Sequence, residues 1–185
     1  MIIESEQSLK SKRGKETMFR VAYRNQTSLR QIADNKANMV ISINTLIISS
    51  IIAIMGYGIV SNNMDLYLEK LIPVAIIVIT CLLSAVLAIV AANPRYVKPE
   101  LKNLEDKQSL LFFGEMAGYS QEEYLQKMEE LLNSREDIYK NMIIDLHCQG
   151  IILTYKFRYI SYAYNALMFG FSVGVIIFIV FLFLQ

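Results

Sequence analysis

Histidine is nearly missing from this 185-residue chain, cysteine is sparse, and charge vanishes from three long stretches. The single histidine, His147, stands beside Cys148 and close to Asp145. Positions i, i+1 and i+2 do not share a helix face, so these residues do not converge into a zinc site or a Cys–His nucleophile. No glycine-rich phosphate loop is present, because Gly56-Tyr57-Gly58 sits at the edge of an apolar run without a strand-to-helix setting. Neither catalysis, a metal nor a cofactor is expected. The two cysteines, Cys81 and Cys148, fall in the middle of an apolar run and in a charged region. Placed mid-membrane and in a reducing compartment, they are not expected to pair and read as packing residues.

The charge gaps are the strongest signal. No charged residue occurs between Lys36 and Asp65, between Lys70 and Arg95, or from Tyr159 to Gln185. Each gap holds a predominantly apolar run of about 20 residues, the length a helix needs to cross hydrocarbon. In lipid only helices and closed barrels satisfy their own backbone, and these runs show no period-2 alternation. Spans are expected near Ile41–Val60, Ile72–Ala92 and Ala166–Leu184. The first residues, MIIESEQSLKSKRGK, contain no apolar core of signal-peptide length, so the first span does not read as a cleaved leader.

The net charge of +1 says little about partners, and nucleic acid is not among those expected. The distribution of charge says more. Lys10, Lys12, Arg13, Lys15, Arg20, Arg24, Arg30 and Lys36 precede the first span, whereas only Lys70 lies in the loop before the second. Arg95, Lys98, Lys102 and Lys107 follow the second, and Lys156 and Arg158 lead into the third. The positive-inside rule places the N-terminus and the long middle segment in the cytoplasm and the C-terminus outside, with no extracytoplasmic domain expected.

The fold class expected is an all-α membrane protein with three transmembrane helices and a helical cytoplasmic bundle. Its parts are a mobile polar N-terminus over 1–17, a cytoplasmic helix leading into the membrane over 18–40, and transmembrane helices over 41–60, 72–92 and 166–184. A cytoplasmic helical region over 93–163 completes the chain. Within that region a helix through Leu101–Phe113 is expected to end at Gly114. The stretch GEMAGYS reads as a turn, and Ser120-Gln-Glu-Glu123 as a capping box. The next helix carries Tyr124, Leu125, Met128, Leu131 and Leu132 on an apolar stripe. After a break at Asn133-Ser134 a last helix starts near Arg135 and continues into the third span.

Two groups of residues are candidates for function. Asn38, Ser42, Thr45, Ser49, Ala53 and Gly56 form a small and polar stripe on span one. Cys81, Ser84, Ala88 and Ala91 do so on span two, and Ala163, Ala166, Gly170 and Gly174 on span three, the last two as a GxxxG match. Small residues let membrane helices approach closely, so the plain reading is packing of the three spans together. The sharper reading turns the Ser/Thr face of span one toward other subunits, or toward water in an open pore. The second group is a polar girdle of Arg30, Asp34, Asn35, Lys36 and Asn38 with Asn93, Arg95, Lys156 and Arg158, and Arg24 joins its charged residues as a candidate for ligand or interface contact. Arg30 and Asp34 stand at i and i+4 and are placed to pair. The girdle reads as an anchor for anionic headgroups, or as a pocket where an anionic ligand meets Arg and Lys.

Ala33-Asp-Asn-Lys-Ala-Asn38 opens the first span, Asn93-Pro94 follows the second, and Leu111-Phe-Phe-Gly114 precedes Ser120-x-Glu-Glu-Tyr124. With Tyr139 and the Gly150–Tyr159 stretch carrying Lys156, these residues resemble the transmembrane effector family of Pycsar anti-phage defence, from about Tyr23 to Gln185. The resemblance implies pairing with a nucleotide cyclase that makes cyclic CMP or cyclic UMP on infection. It also implies an effector that impairs the inner membrane, halting growth; because three spans of one chain cannot enclose a channel unaided, a homo-oligomer is the expected form. A constitutive scaffold or accessory subunit docking a cytosolic partner, or a small channel component, is the alternative.

Overall fold

The computed structural model describes residues 2–60, 71–93 and 109–183. Five helices occur there: α1 (Ile2–Val60), α2 (Leu71–Ala92), α3 (Phe113–Met116), α4 (Gln121–Leu132) and α5 (Arg135–Phe183). There is no strand among the described residues. Three of these helices are long and apolar enough to cross a membrane, and the chain is an all-α membrane protein.

Helix α1 carries no proline, and its early residues Glu, Gln, Leu, Lys and Arg are good helix formers. That explains why the helix starts at Ile2, within the stretch 1–17 expected to be mobile. The Ser61–Glu69 loop, the Asn93-Pro94 junction beyond Asn93, Arg95 and the first part of the helix expected over 101–113 lie outside the described residues. Gly114 does not end a helix: it lies inside the single turn α3, and the chain reverses at residues 117–119 instead. At Ser120 the capping box is complete, with the side chain of Ser120 receiving the Glu123 amide at 3.3 Å and Glu123 receiving the Ser120 amide at 3.1 Å.

Contacts divide the chain into two compact units, Met1–Gln31 with Arg95–Thr154, and Ile32–Pro94 with Tyr155–Gln185. In the first, the start of α1 packs on the start of α5: Phe19 is buried and stacks on Tyr139 with ring centroids 5.5 Å apart. Asn141 holds the segment before α3, accepting the Leu110 amide at 2.7 Å, while Ser109 donates to the Asn141 carbonyl at 3.1 Å. Of the apolar stripe expected on α4, Leu131 is buried, whereas Leu125 and Leu132 are exposed. A stripe with 3.6 residues per turn is wider than the contact a short helix makes, so its flanks stay open.

In the second unit, α1, α2 and the end of α5 pack around Val40, Ala88 and Ala163. Every one of Cys81, Ser84, Ala88 and Ala91 on α2 is buried, as are Ala163, Gly170 and Gly174 on α5. The face that α1 buries is Ala33, Ala37, Val40 and Asn44. Asn38, Ser42, Thr45 and Ser49 stand on the exposed side. Small residues line the inside because helices in lipid gain from close backbone approach rather than from hydrophobic transfer.

Candidate functional site

Both units contain buried polar groups that their sequence setting does not announce. In the apolar unit, Asn44 on α1 donates its side-chain amide to the Ser84 hydroxyl on α2 at 3.0 Å. Ser84 in turn donates to the Ala163 carbonyl on α5 at 2.8 Å. One relay therefore ties all three helices. The Asn44 side-chain carbonyl is fully buried and has no hydrogen-bond partner among the described residues. A buried acceptor left unpaired costs on the order of 1–3 kcal/mol.

The GxxxG residues of α5 meet α2 directly. A Cβ added at Gly170 would lie 2.2 Å from the Thr80 Cβ, and one at Gly174 would lie 2.2 Å from the Ile77 Cγ1. Only hydrogen fits at either position.

Of the girdle residues, Lys156 on α5 bonds Asp34 on α1. Asp34 is thus engaged across helices rather than by its i−4 neighbour Arg30. Lys36 stands 5.9 Å from the Phe157 ring centroid, and Arg158 stands 5.8 Å from that of Tyr155. Both cations are exposed, their heads stacked over aromatic rings as snorkelling side chains do.

In the polar unit the unexpected group is Asp145, only 2% exposed on α5. One carboxylate oxygen accepts from Gln149 at 2.7 Å, and the other has no partner among the described residues. Burial pushes its carboxyl above the ordinary carboxylate range, against the opposing pull of Tyr23, Gln149 and Arg30. The Tyr23 hydroxyl donates to the Met142 carbonyl at 3.3 Å, and burial beside Asp145 raises its ionisation well above that of a free tyrosine. Next to it the Gln26 amide donates to the Leu146 carbonyl at 3.1 Å. His147 is exposed while Asp145 and Cys148 are buried, so the three do not converge. Arg24 is exposed on α1. No group of three metal-ligating side chains occurs among the described residues.

Sequence reasoning passed over Asn44, Ser84 as its partner, and Asp145. The available signal was polarity out of place: an amide inside a charge-free run, and an acid between the stripe residues Met142 and Leu146.

No curated protein and no solved structure matches this chain. The model of one family, described as the Pycsar effector protein domain, matches residues 17–184 and so takes in both buried polar groups, the ion pair, α1 from Thr17 onward and the whole of α2 to α5. The match spans nearly the whole polypeptide, and this chain belongs to the Pycsar effector family.

Proposed function

We propose that this protein is an inner-membrane effector of anti-phage defence, switched on by a cyclic pyrimidine nucleotide, cyclic CMP or cyclic UMP, made by a partner cyclase. The observation that carries the reading is the family match over residues 17–184 of a chain built from apolar helices and one small polar unit. The excess of Lys and Arg before span one and after span two supports an N-terminus and a polar unit on the cytoplasmic side.

A messenger shifts a protein only by binding two states with different affinity. The polar unit offers the messenger exposed cations, Arg24 foremost, and Lys36 and Arg158 are further candidates at the girdle. The membrane segments supply the output. Three helices of one chain enclose no channel, so impairment of the membrane requires several copies. The side of α1 that carries Ser42 and Ser49, exposed in the single chain, is the surface available for that assembly. The growth arrest that follows halts phage spread.

The test is membrane potential. Cells producing this protein together with an active cyclase should depolarise within minutes of cyclase induction, as read by a potential-sensitive dye. Cells with a catalytically dead cyclase should not. Retention of full potential in the presence of the nucleotide removes the proposal.

A further inference from the structure

Helix α1 carries two seams, and only one of them is filled. Within the apolar unit the filled seam is Ala33, Ala37, Val40 and Asn44, all buried. Its steps are four, three and four. On the other side Ile32, Met39, Leu46 and Ala53 recur every seventh residue, and all four are exposed. Interleaved with them at the same interval are Asn35, Ser42, Ser49 and Gly56, also exposed. With 3.5 residues per turn the second seam lies about 150° around the helix from the first.

The same alternation of three and four continues back along the sequence through Ser28, Asn25, Val21 and Met18, each exposed in the polar unit. No position in the second seam is charged, although Arg20, Arg24, Arg30, Asp34 and Lys36 stand between its residues. An exposed, uncharged face that carries Met18, Val21, Ile32, Met39 and Leu46 is suited to packing against another helix.

Hydroxyl bonding gives an independent observation. Thr45 and Ser50, which flank the open seam, donate to the carbonyls of Ile41 and Leu46 at 2.8 Å each. Ser42 and Ser49, which lie within it, donate to no group among the described residues. A spare hydroxyl in hydrocarbon calls for an acceptor on a neighbouring helix.

We infer that the open seam of α1 docks the same seam of a second copy of this chain, in parallel, with large residues (Ile32, Met39, Leu46) alternating with small or polar ones (Asn35, Ser42, Ser49). Copies inserted with one topology run parallel, so each seam residue meets its own counterpart, and Ser42 and Ser49 exchange hydrogen bonds with theirs. An uncharged seam brings no like charges together in such a pair. The interface deepens the assembly step proposed above and rests on that reading for its role, but it forms without the messenger, since the seam is already open.

Cysteine cross-linking in reconstituted vesicles, with no nucleotide present, tests it. In a Cys81→Ala/Cys148→Ala background, Ser42→Cys, Leu46→Cys and Ser49→Cys should oxidise to disulfide-linked dimers. Their yield should exceed that of Thr45→Cys, Ile47→Cys and Ser50→Cys by about threefold or more, following the 3.5-residue repeat. A flat profile, or a maximum at Ile47→Cys, overturns the inference. As a second measure, Ser42→Leu/Ser49→Leu changes only exposed positions and should lower the dimer fraction by energy transfer, whereas Thr45→Leu should leave it alone. Equal dimer fractions in both variants also overturn it. A seam-periodic profile in a protein that never depolarises cells sinks the proposed function and leaves the interface standing. Depolarisation with a flat profile does the reverse.

Discussion

Asn44 and Ser84, on different helices of the apolar unit, are joined by a 3.0 Å hydrogen bond in which the amide donates and the hydroxyl passes its own proton on to Ala163. The two partners are not equivalent. Replacing Ser84 by Ala leaves the Asn44 amide buried with neither end satisfied, and should cost about 1–2 kcal/mol. Replacing Asn44 by Leu removes the orphaned carbonyl together with the bond and should come close to neutral. Thermal unfolding in detergent distinguishes the two. Equal losses would mean that the unpaired carbonyl carries no penalty.

The close contacts of α5 with α2 make a steric prediction. Gly170→Ala drives a methyl group into the Thr80 side chain, root included, and should cost about 1–3 kcal/mol. Gly174→Ala meets Ile77 and should behave similarly. Gly14, with nothing within 4 Å, is the control: Gly14→Ala should stabilise by up to about 1 kcal/mol through helix propensity. Melting temperatures of the three variants in one detergent decide it.

Much of this architecture is visible in the residues alone. Charge-free gaps disclose the apolar helices, Ser120 and Glu123 disclose the start of α4, and Gly170 and Gly174 disclose a close helix contact. Which side of α1 turns inward is not visible in the same way. Lipid and protein interior are about equally apolar, so hydrophobicity does not rank the Asn38–Ser42–Thr45–Ser49 face against the Ala33–Ala37–Val40–Asn44 face. Pairing is also decided at long range. Asp34 has a cation four residues before it, yet Lys156, distant in sequence, takes it. Asp145 is buried among residues such as Tyr23 that no local pattern brings to it.

The Asp34–Lys156 pair is lopsided in exposure, which sets a third expectation. The Lys156 side chain is 11% exposed and that of Asp34 is 41% exposed. Asp34→Ala therefore strands the more buried charge and should cost about 1.5–3 kcal/mol, more than Lys156→Met, which leaves the acid within reach of water. The double variant Asp34→Ala/Lys156→Met should recover part of the loss. If Lys156→Met is the worse of the single changes, the pair does not stabilise the protein in this way.

The polar unit should respond to pH through Asp145. Its carboxyl is held above the ordinary range by burial, so the folded protein keeps this proton to higher pH than the unfolded chain does. Stability from this group is fully present below the unfolded carboxylate value and is lost as pH rises through the folded one. At neutral pH the buried carboxylate is a liability, and Asp145→Asn, which keeps a side-chain oxygen beside Gln149, should raise the melting temperature. The advantage should shrink steadily as pH falls toward the ordinary carboxylate range, where the native side chain is itself neutral. Tyr23 acts in the same direction at the alkaline end: its raised ionisation means stability is lost above the normal tyrosine range, where the unfolded chain ionises first. Tyr23→Phe should remove that alkaline loss and, by taking away one of the groups that pull the Asp145 carboxyl down, move the Asp145 titration further up. Melting curves of the native chain and the two variants across acid, neutral and alkaline buffers test both. An Asp145→Asn advantage that grows on acidification would reverse the sign and refute the assignment.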